Sequence, residues 1–404
     1  MSKLPARLQP FWPFLKRGHR LLSLLAGLVF RRLSFVYGER ALPRGATTRS
    51  EETARREPDA VTLHPGGPAE SLRRGPAIGT PPRHWRFVAG ERAEVPARYV
   101  LEVADGRVSG DFGAITTPGG LLDYQTSGYF GIDGWREHPV FLRPNLGRVE
   151  HVPGTVLNLA TRGTVSNYYH FIYDAIGRYG IFEEAMPGTS VDAIVVPHGA
   201  GYQRQVLELS GIARDGVRLL QPERGVTYRA DRLLVPSTPN QDLDAPRWVT
   251  EWLRKRLPAT TAAGELPRRL YLSRGQAPNT RRYVEEPELW PELEKRGFVM
   301  LDPGTVTVQE QIDIFHGAEI VVSPHGAGLT NILFGTPGLA VLEMFAATYV
   351  HLGLWTIAEA VGGYDYRYLV ADGPVREGAP QVGVLDDVSI PPERVLAVID
   401  ELLG

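Results

Sequence analysis

The chain has 404 residues, of which 43% are hydrophobic and 22% charged, a balance typical of a soluble globular protein with about two to three domains. The formal net charge of −2 argues against a protein that coats nucleic acid. Cysteine does not occur, which excludes disulfides, thiolate metal sites and a cysteine nucleophile.

The N-terminal segment, residues 1–38, is basic and apolar, and no acidic side chain precedes Glu39. Its apolar run, residues 21–30, is shorter than the roughly 20 residues that span a bilayer. Arg31 and Arg32 stand where a signal peptide has its small-residue cleavage site. We predict a helix that lies on an anionic cytoplasmic membrane surface, with a solvated extension as the alternative.

Residues 39–95 are rich in Arg, Glu, Pro and Gly and have few large apolar residues, so we predict a disordered linker. From residue 98 onward, short alternating runs are separated by turns such as Asp105-Gly106, which predicts a β-hairpin region. This region opens an N-terminal domain, residues 96–257. The domain continues with strands at 191–197, 217–220 and 232–236 and helices at 167–185, 202–210 and 245–256, as expected for an α/β unit with a parallel sheet.

The small, polar residues 258–267 are the predicted hinge to a second domain, residues 268–390. Here strands at 269–273, 298–301, 320–322, 340–345 and 366–370 alternate with helices, which indicates a doubly wound sheet. A C-terminal helix in residues 391–404 has no strand after it and is expected to pack back on the first unit.

The strand at 320–322 ends in Ser323-Pro324 and a glycine-rich turn, residues 325–328, before a helix begins. Backbone N–H groups at such a junction attract anions, and His325 adds a donor that can carry charge. The alternative is a tight connection without a ligand, because the turn matches neither common phosphate-binding fingerprint. Ligands of doubly wound sheets bind outside the carboxyl ends of the strands, so Ser273-Arg274 and residues 303–305 are expected nearby.

Three arginines, Arg274, Arg281 and Arg282, are expected near the glycine-rich turn, where they would bind a diphosphate. Glu343, on the next strand, would accept hydrogen bonds from ribose hydroxyls. The alternatives are solvated arginines and a Glu343 that pairs with one of them.

In the first unit, Asn167, His170 and Asp174 are spaced i, i+3, i+7 on a strongly aromatic helix, with Ser166 as the predicted N-cap. Facing a cleft, His170 or Asp174 would take a proton from a hydroxyl nucleophile while the other orients it. The alternatives are an Asp174–Arg178 ion pair and a structural core histidine.

The acidic pair Asp242 and Asp244 matches an Asp-x-Asp metal motif. We reject a metal site there, because short matches are frequent by chance and N-capping of the following helix explains Asp244.

These motifs, in order, resemble glycosyltransferase family 61. The resemblance covers residues 95–370 and is carried by residues 167–174, 271–274, 281–282, 297–302, 309–315, 323–331 and Glu343. It implies an α/β, GT-B-like fold, with two Rossmann-like units facing across a cleft and the β-hairpin region before them. Gly275 to Asn279 lengthen the arginine loop, and Gly177 replaces a common proline, so this loop and the helix are expected to differ in shape from the family pattern.

The resemblance also implies inverting, metal-independent transfer from a nucleotide sugar, commonly a UDP-sugar, to a hydroxyl acceptor, with no other cofactor. His170 and Asp174 would face the acceptor. The donor would be bound by Ser273, Arg274, Arg281, His325, Gly326, Ala327, Gly328, Asn331 and Glu343.

Bacterial relatives commonly build capsular or lipopolysaccharide glycans, which implies a glycan or lipid-linked glycan acceptor at the cytoplasmic membrane. Two other classes stay open at this point. One is a non-catalytic nucleotide- or glycan-binding component of an envelope assembly. The other is an NAD-dependent oxidoreductase, which is disfavoured because no dinucleotide fingerprint follows the first strand of the second domain.

Overall fold

Two β-sheets organise the chain. The computed structural model describes residues 12–240, 243–260, 266–373, 377–378 and 383–404. Residues 1–11, Asp242 and part of the predicted hinge, residues 261–265, therefore lie outside the described residues. The strands are β1 Gly45–Thr47, β2 Val61–Pro65, β3 Glu70–Arg73, β4 Ile78–Thr80, β5 Arg92–Val95, β6 Tyr99–Ala104, β7 Arg107–Ser109, β8 Ala114–Thr116, β9 Leu121–Asp123, β10 Arg148–Asn158, β11 Ala193–Val195, β12 Arg218–Leu220, β13 Val226–Pro236, β14 Arg269–Leu272, β15 Val299–Leu301, β16 Ile320–Pro324, β17 Ala340–Phe345 and β18 Asp365–Val370.

Helices cover the sheets and connect the strands. A π-helix, Phe171–Ile176, joins α4 to α5, and a 3-10 helix, Ala327–Phe334, follows the glycine-rich turn. The α-helices are α1 Trp12–Leu33, α2 Ser50–Arg56, α3 Trp85–Gly90, α4 Tyr168–His170, α5 Gly177–Ala185, α6 Gly201–Leu209, α7 Arg247–Arg256, α8 Glu286–Lys295, α9 Val308–Gly317, α10 Gly353–Val361 and α11 Pro392–Leu403. Shorter 3-10 helices are Ser34–Arg40, Trp135–Glu137, Pro139–Phe141 and Pro303–Thr305.

The second sheet is parallel throughout and runs in the order β15, β14, β16, β17, β18, β4. Its strands are apolar on both faces because helices cover both sides, which explains the unbroken run Ala340–Phe345, buried at every position. The next strand in the chain, β15, lies on one side of β14, and the strand after it, β16, lies on the other side of β14. The direction of winding therefore reverses between β14 and β16.

The first sheet is mixed and runs β1, β9, β8, β7, β13, β10, β11, β12, with β6 paired to β13 and to β2. Its parallel part, β13, β10, β11 and β12, also reverses direction, between β13 and β10. The expected hairpin at Asp105-Gly106 is wrong: β6 and β7 follow one another along the long strand β13, and each pairs with it. Hairpin pairing does join β7 to β8 and β8 to β9.

The two α/β units face one another across a cleft, which confirms the predicted fold class. One hydrophobic cluster continues from the first unit, where it includes Ile172 and Tyr173, into the second, where it includes Val321 and Trp355. The two units therefore share a core.

The prediction of a disordered linker at 39–95 is wrong. Leu42, Val61 and Phe87 are buried in hydrophobic clusters with other parts of the chain, and Phe87 stacks on Tyr368 with ring centroids 4.3 Å apart, whereas Ile78 and Val88 are exposed. The strand β4 even joins the second sheet beside β18. A count of apolar residues misses this, because the buried ones complete cores that are built mainly by other segments.

The last helix, α11, does not pack on the first unit. Its buried residues Val395 and Ile399 contact Leu289 and Leu293 of α8, so it covers the second sheet.

Candidate active site

The reversal of winding in the second sheet places a cavity of about 840 Å³ outside the carboxyl ends of β14 and β16. Its walls come from both units, with Tyr168, Tyr202 and Gln205 from the first. The second unit contributes the predicted loops, including Ser273, Arg274, Pro303, Gly304, Gly326 and Gly328. The sequence therefore predicted correctly which three loops meet.

Arg274 lies in this cavity against the backbone of the glycine-rich turn. Its Nε donates to the carbonyl of Thr280 at 2.7 Å, and burial, followed by the charge of Arg281, lowers its pKa to about 10. A Cβ at Gly326 would lie 2.0 Å from an Nη atom of Arg274. Gly326 has an extended backbone, with φ −176°, so glycine is required here for the close approach of the guanidinium and not for a left-handed turn.

Arg281 lies near the same turn, where it lines a cavity together with Gly326 and Ala327. It has φ +63°, its guanidinium lies 5.6 Å from the centroid of the Tyr349 ring, and burial lowers its pKa. Arg282 turns away and pairs with Asp387 at 3.3 Å. Two guanidinium groups, not the expected three, therefore converge. Among the described residues, neither Arg274 nor Arg281 has a carboxylate within ion-pair distance.

A second cavity, of about 80 Å³, adjoins the first at Gly326 and is lined by Asn167, His170, Arg281, His325, Ala327 and His351. The sequence allowed a charge on His325, and its surroundings disfavour that charge. Its Nδ1 lies 2.5 Å from Oε1 of Glu343, and burial lowers the pKa of His325 while raising that of Glu343 to about 8. Both directions favour a neutral imidazole beside a neutral carboxyl, although the atoms are at ion-pair distance.

Glu343 was predicted to bind ribose, and the structure contradicts this. Its side chain is fully buried, and its second oxygen accepts a hydrogen bond from Tyr366. The carboxyl therefore reaches neither cavity and instead fixes the ring of His325.

Asn331 was also predicted to bind the donor and is likewise buried. Its Oδ1 accepts from the hydroxyl of Tyr168 at 2.7 Å, and its Nδ2 donates to Gln311 at 2.7 Å. It ties the first unit to the second beneath the cavity. Ser273 does line the cavity, where its hydroxyl donates to the carboxylate of Glu286 at 2.9 Å.

In the first unit, His170 lines the smaller cavity and Asp174 lies behind it. His170 Nδ1 is 2.7 Å from Asp174 Oδ2, and the Asp174 side chain is 5% exposed. With the carboxylate as acceptor, Nδ1 carries the proton and Nε2 is left as the acceptor toward the cavity. Asp174 pairs with His170 through the turn that leads into the π-helix, a distortion that often marks functional sites.

One expectation about this helix, its N-cap, is wrong, and so is the alternative of an Asp174–Arg178 ion pair. Asn167, not Ser166, is the N-cap, because its Oδ1 accepts from the backbone N–H of His170 at 3.3 Å. Arg178 lies too deep for a surface ion pair: it donates to the carbonyls of Ala160 and Thr126 at 2.8 and 2.9 Å.

The proposed capping role of Asp244 is wrong as well. Pro246 occupies the N-cap of α7, and the Asp244 carboxylate instead pairs with the buried Arg74 at 3.2 Å.

Sequence reasoning missed His351 and Tyr349 in the loop after β17. The ring of His351 stacks on that of His325 with centroids 5.6 Å apart, and its Nδ1 accepts from the backbone of Gly353 at 3.2 Å. Burial lowers the pKa of His351 to about 3, so the ring is neutral and Nε2 carries its proton. Their position after a strand adjacent to β16 was the available signal, because such loops meet at one edge of the sheet.

Comparison with known proteins agrees with this arrangement. Residues 168–342, which contain both the His170–Asp174 pair and the glycine-rich turn, match the family model Glycosyltransferase 61. This segment is a glycosyltransferase family 61 domain. The protein is therefore a glycosyltransferase, and the non-catalytic and oxidoreductase alternatives are set aside.

Among solved structures, the chain is similar to the E. coli heptosyltransferase WaaC with ADP at 12% sequence identity and a TM-score of 0.30. That similarity covers 62% of this chain and 100% of the other. No curated protein matches the chain.

Proposed function

We propose that the protein transfers a sugar from a UDP-sugar to a hydroxyl of a glycan acceptor, with inversion at the anomeric carbon and without a metal ion. The supporting observation is the convergence of Arg274 and Arg281, both largely buried and without an ion-pair carboxylate in the described chain, beside His170. Positive charge held out of water without a counter-ion favours binding of an anion. The choice of uridine follows the common donor of the family.

In the proposed reaction the acceptor hydroxyl attacks the anomeric carbon from the side of His170. The bond from that carbon to the diphosphate oxygen breaks, and its electron pair leaves with UDP. The proton of the hydroxyl passes to Nε2 of His170, and Asp174 stabilises the imidazolium. Arg274, Arg281 and the first N–H groups of the helix Ala327–Phe334 stabilise the charge on the leaving diphosphate, as a divalent cation does elsewhere.

Neutral His325 and His351 suit this chemistry because they donate hydrogen bonds without adding charge. Nδ1 of His325 is hydrogen-bonded to Glu343, and Nδ1 of His351 accepts from the backbone N–H of Gly353. The Nε2–H of each ring therefore remains free to act as a donor. They would orient hydroxyls of the transferred sugar between the diphosphate and His170.

We further propose that the acceptor is a lipid-linked or other envelope glycan and that α1 brings the enzyme to an anionic membrane. Within residues 20–40, an 18-residue window has a mean hydropathy of 1.4, and 11% of that window is buried, so by length and composition this stretch could cross a membrane. A helix lying on the membrane is favoured because one side of α1 is attached to the enzyme: Arg31 lies 5.0 Å from the Trp135 ring centroid. The other side exposes Leu21, Leu22, Leu25 and Val29 beside basic residues.

A nucleotide-sugar panel tests the donor proposal. UDP and one UDP-sugar should raise the melting temperature of the full chain by mass action, and EDTA should leave the shift unchanged. Inverted stereochemistry of the product, read by NMR, should accompany transfer. The proposal is wrong if no uridine nucleotide stabilises the protein, or if EDTA abolishes the shift and Mg²⁺ restores it.

A further inference from the structure

The first sheet has its own ligand-sized crevice, distinct from the two cavities described above. Winding reverses between β10 and β13, and a cavity of about 270 Å³ is lined by residues that follow both strands, including Thr161, Arg162 and Thr238. A reversal of this kind is where open α/β sheets bind ligands. In the second sheet, the proposed donor site lies at such a reversal. The first sheet likewise has a cavity at the point where its winding reverses.

The lining of this crevice suits a sugar. Tyr124, Gln125 and Tyr129 line it together with Thr161, Arg162 and Thr238, residue types that carry hydroxyl, amide and guanidinium groups as well as aromatic rings. Among the described residues, no carboxylate lines it. Aromatic faces pack against the apolar face of a pyranose ring, while hydroxyl and amide groups exchange hydrogen bonds with its hydroxyls.

An aromatic side chain connects the crevice to the proposed base. The guanidinium of Arg162 lies 4.2 Å from the centroid of the Phe130 ring. The Phe130 ring in turn lies 4.9 Å from the ring of His170, and Phe130 is 42% exposed. An exposed phenylalanine between a polar crevice and a catalytic imidazole provides a surface over which a sugar chain can lie.

We propose that this crevice binds a pyranose unit of the acceptor glycan and that Phe130 guides the reacting hydroxyl to His170. The assignment deepens the proposed transferase function and rests on it. It makes the crevice the determinant of acceptor choice. Most of its residues lie before residue 168, so they belong to the part of the chain that the family match does not cover.

Gly128 offers a clean way to fill the crevice. A Cβ there would make ordinary contacts, 3.8 Å from Arg162 and 3.9 Å from the carbonyl of Tyr124, and its φ is not positive, so Gly128→Leu is expected to fold. Gly134→Leu is the matched control, since a Cβ at Gly134 meets nothing within 4 Å and lies outside the crevice. Phe130→Ala is a second test on an exposed side chain.

The experiment measures UDP release from the stabilising UDP-sugar with and without a panel of p-nitrophenyl glycosides as acceptors. Wild type should release UDP faster with at least one glycoside. Gly128→Leu and Phe130→Ala should raise the KM for that glycoside about tenfold or more, with unchanged UDP affinity. Gly134→Leu should match wild type.

The inference is overturned if no glycoside stimulates release, or if Gly128→Leu and Phe130→Ala both keep the wild-type KM. Failure of the donor proposal gives a different result, because wild type would then show no affinity for UDP at all. A Gly128→Leu variant that loses UDP affinity as well would also count against a separate acceptor crevice.

Discussion

The guanidinium of Arg274 occupies the space that a side chain at position 326 would need: a Cβ on Gly326 would lie 2.0 Å from it. In the proposed function, the strand end that supplies the arginine and the turn that supplies the backbone N–H groups would therefore form one anion site. Each half of the site depends on the other, and this dependence can be tested from both sides.

Replacing the arginine is the first test. Arg274→Ala should lower kcat about 10²- to 10³-fold and weaken UDP binding, because the leaving diphosphate loses a buried cation. Calorimetric titration with UDP and initial rates of transfer measure both effects. Arg282→Ala is the matched control, since Arg282 pairs with Asp387 and should keep both near wild type. Wild-type turnover in Arg274→Ala would remove this residue from the mechanism.

Replacing the glycine is the second test. Gly326→Ala should displace Arg274 and weaken UDP binding about tenfold or more, which is about 1.4 kcal/mol. The extended φ of −176° accepts alanine, so the melting temperature should change little. Gly134→Ala is the comparison, because a Cβ there meets nothing within 4 Å and lies outside the cavity. Equal UDP affinities in the two variants would contradict the required close approach.

Replacing His170 or Asp174 of the first unit should lower the rate of catalysis without changing donor binding. His170→Gln is expected to lower kcat about 10²- to 10⁴-fold, since a proton acceptor is lost. Asp174→Asn should also lower kcat, because the amide can favour the other tautomer of His170. UDP affinity should remain unchanged in both, as judged by calorimetry. A base elsewhere is indicated if His170→Gln turns over normally.

The buried Glu343 should make stability depend on pH. Its folded pKa of about 8 lies above the ordinary 4.5, so the native state binds one proton more than the unfolded state between these values. This contribution to the free energy of unfolding is full below pH 4.5 and falls by up to about 1.4 kcal/mol per pH unit until pH 8.

His351, with a lowered pKa of about 3, acts oppositely between pH 3 and 6.5. The effect of Glu343 is therefore clearest from pH 6.5 to 8. Glu343→Gln should flatten the loss of stability in that window, measured by urea unfolding at several pH values. Glu319→Gln should leave this loss of stability unchanged, because the Glu319 side chain is 49% exposed. An unchanged slope in Glu343→Gln would show that this carboxyl is already ionised.

Membrane contact through α1 predicts lipid-dependent sedimentation. The full chain should bind vesicles that contain phosphatidylglycerol more tightly than pure phosphatidylcholine, and less tightly at high salt. Leu22→Glu combined with Leu25→Glu should abolish binding, since both side chains are more than half exposed on α1. Leu209→Glu, at an exposed leucine of α6, serves as the control. Equal binding by the double variant would exclude this face.

The sequence by itself determined the alternation of strands and helices, the three loops that line the cavity proposed for the donor, and the family. Hydrophobic periodicity and turn residues are local properties, so β17 was predicted with the bounds Ala340–Phe345 that the structure has. Arg274, His325 and the glycines after β16 were found for the same reason, because in a parallel sheet the carboxyl ends of all strands meet at one edge.

Only the tertiary structure decided which of these side chains reach a cavity. Glu343 and Asn331 lie on the expected elements but are buried and hydrogen-bonded to His325 and Tyr168, and Asp174 lies behind His170. Burial depends on what packs above a residue, and that partner comes from distant parts of the chain. The same reason explains residues 39–95. Scattered apolar side chains of this stretch are buried in cores built by other segments, and its backbone forms ordered strands.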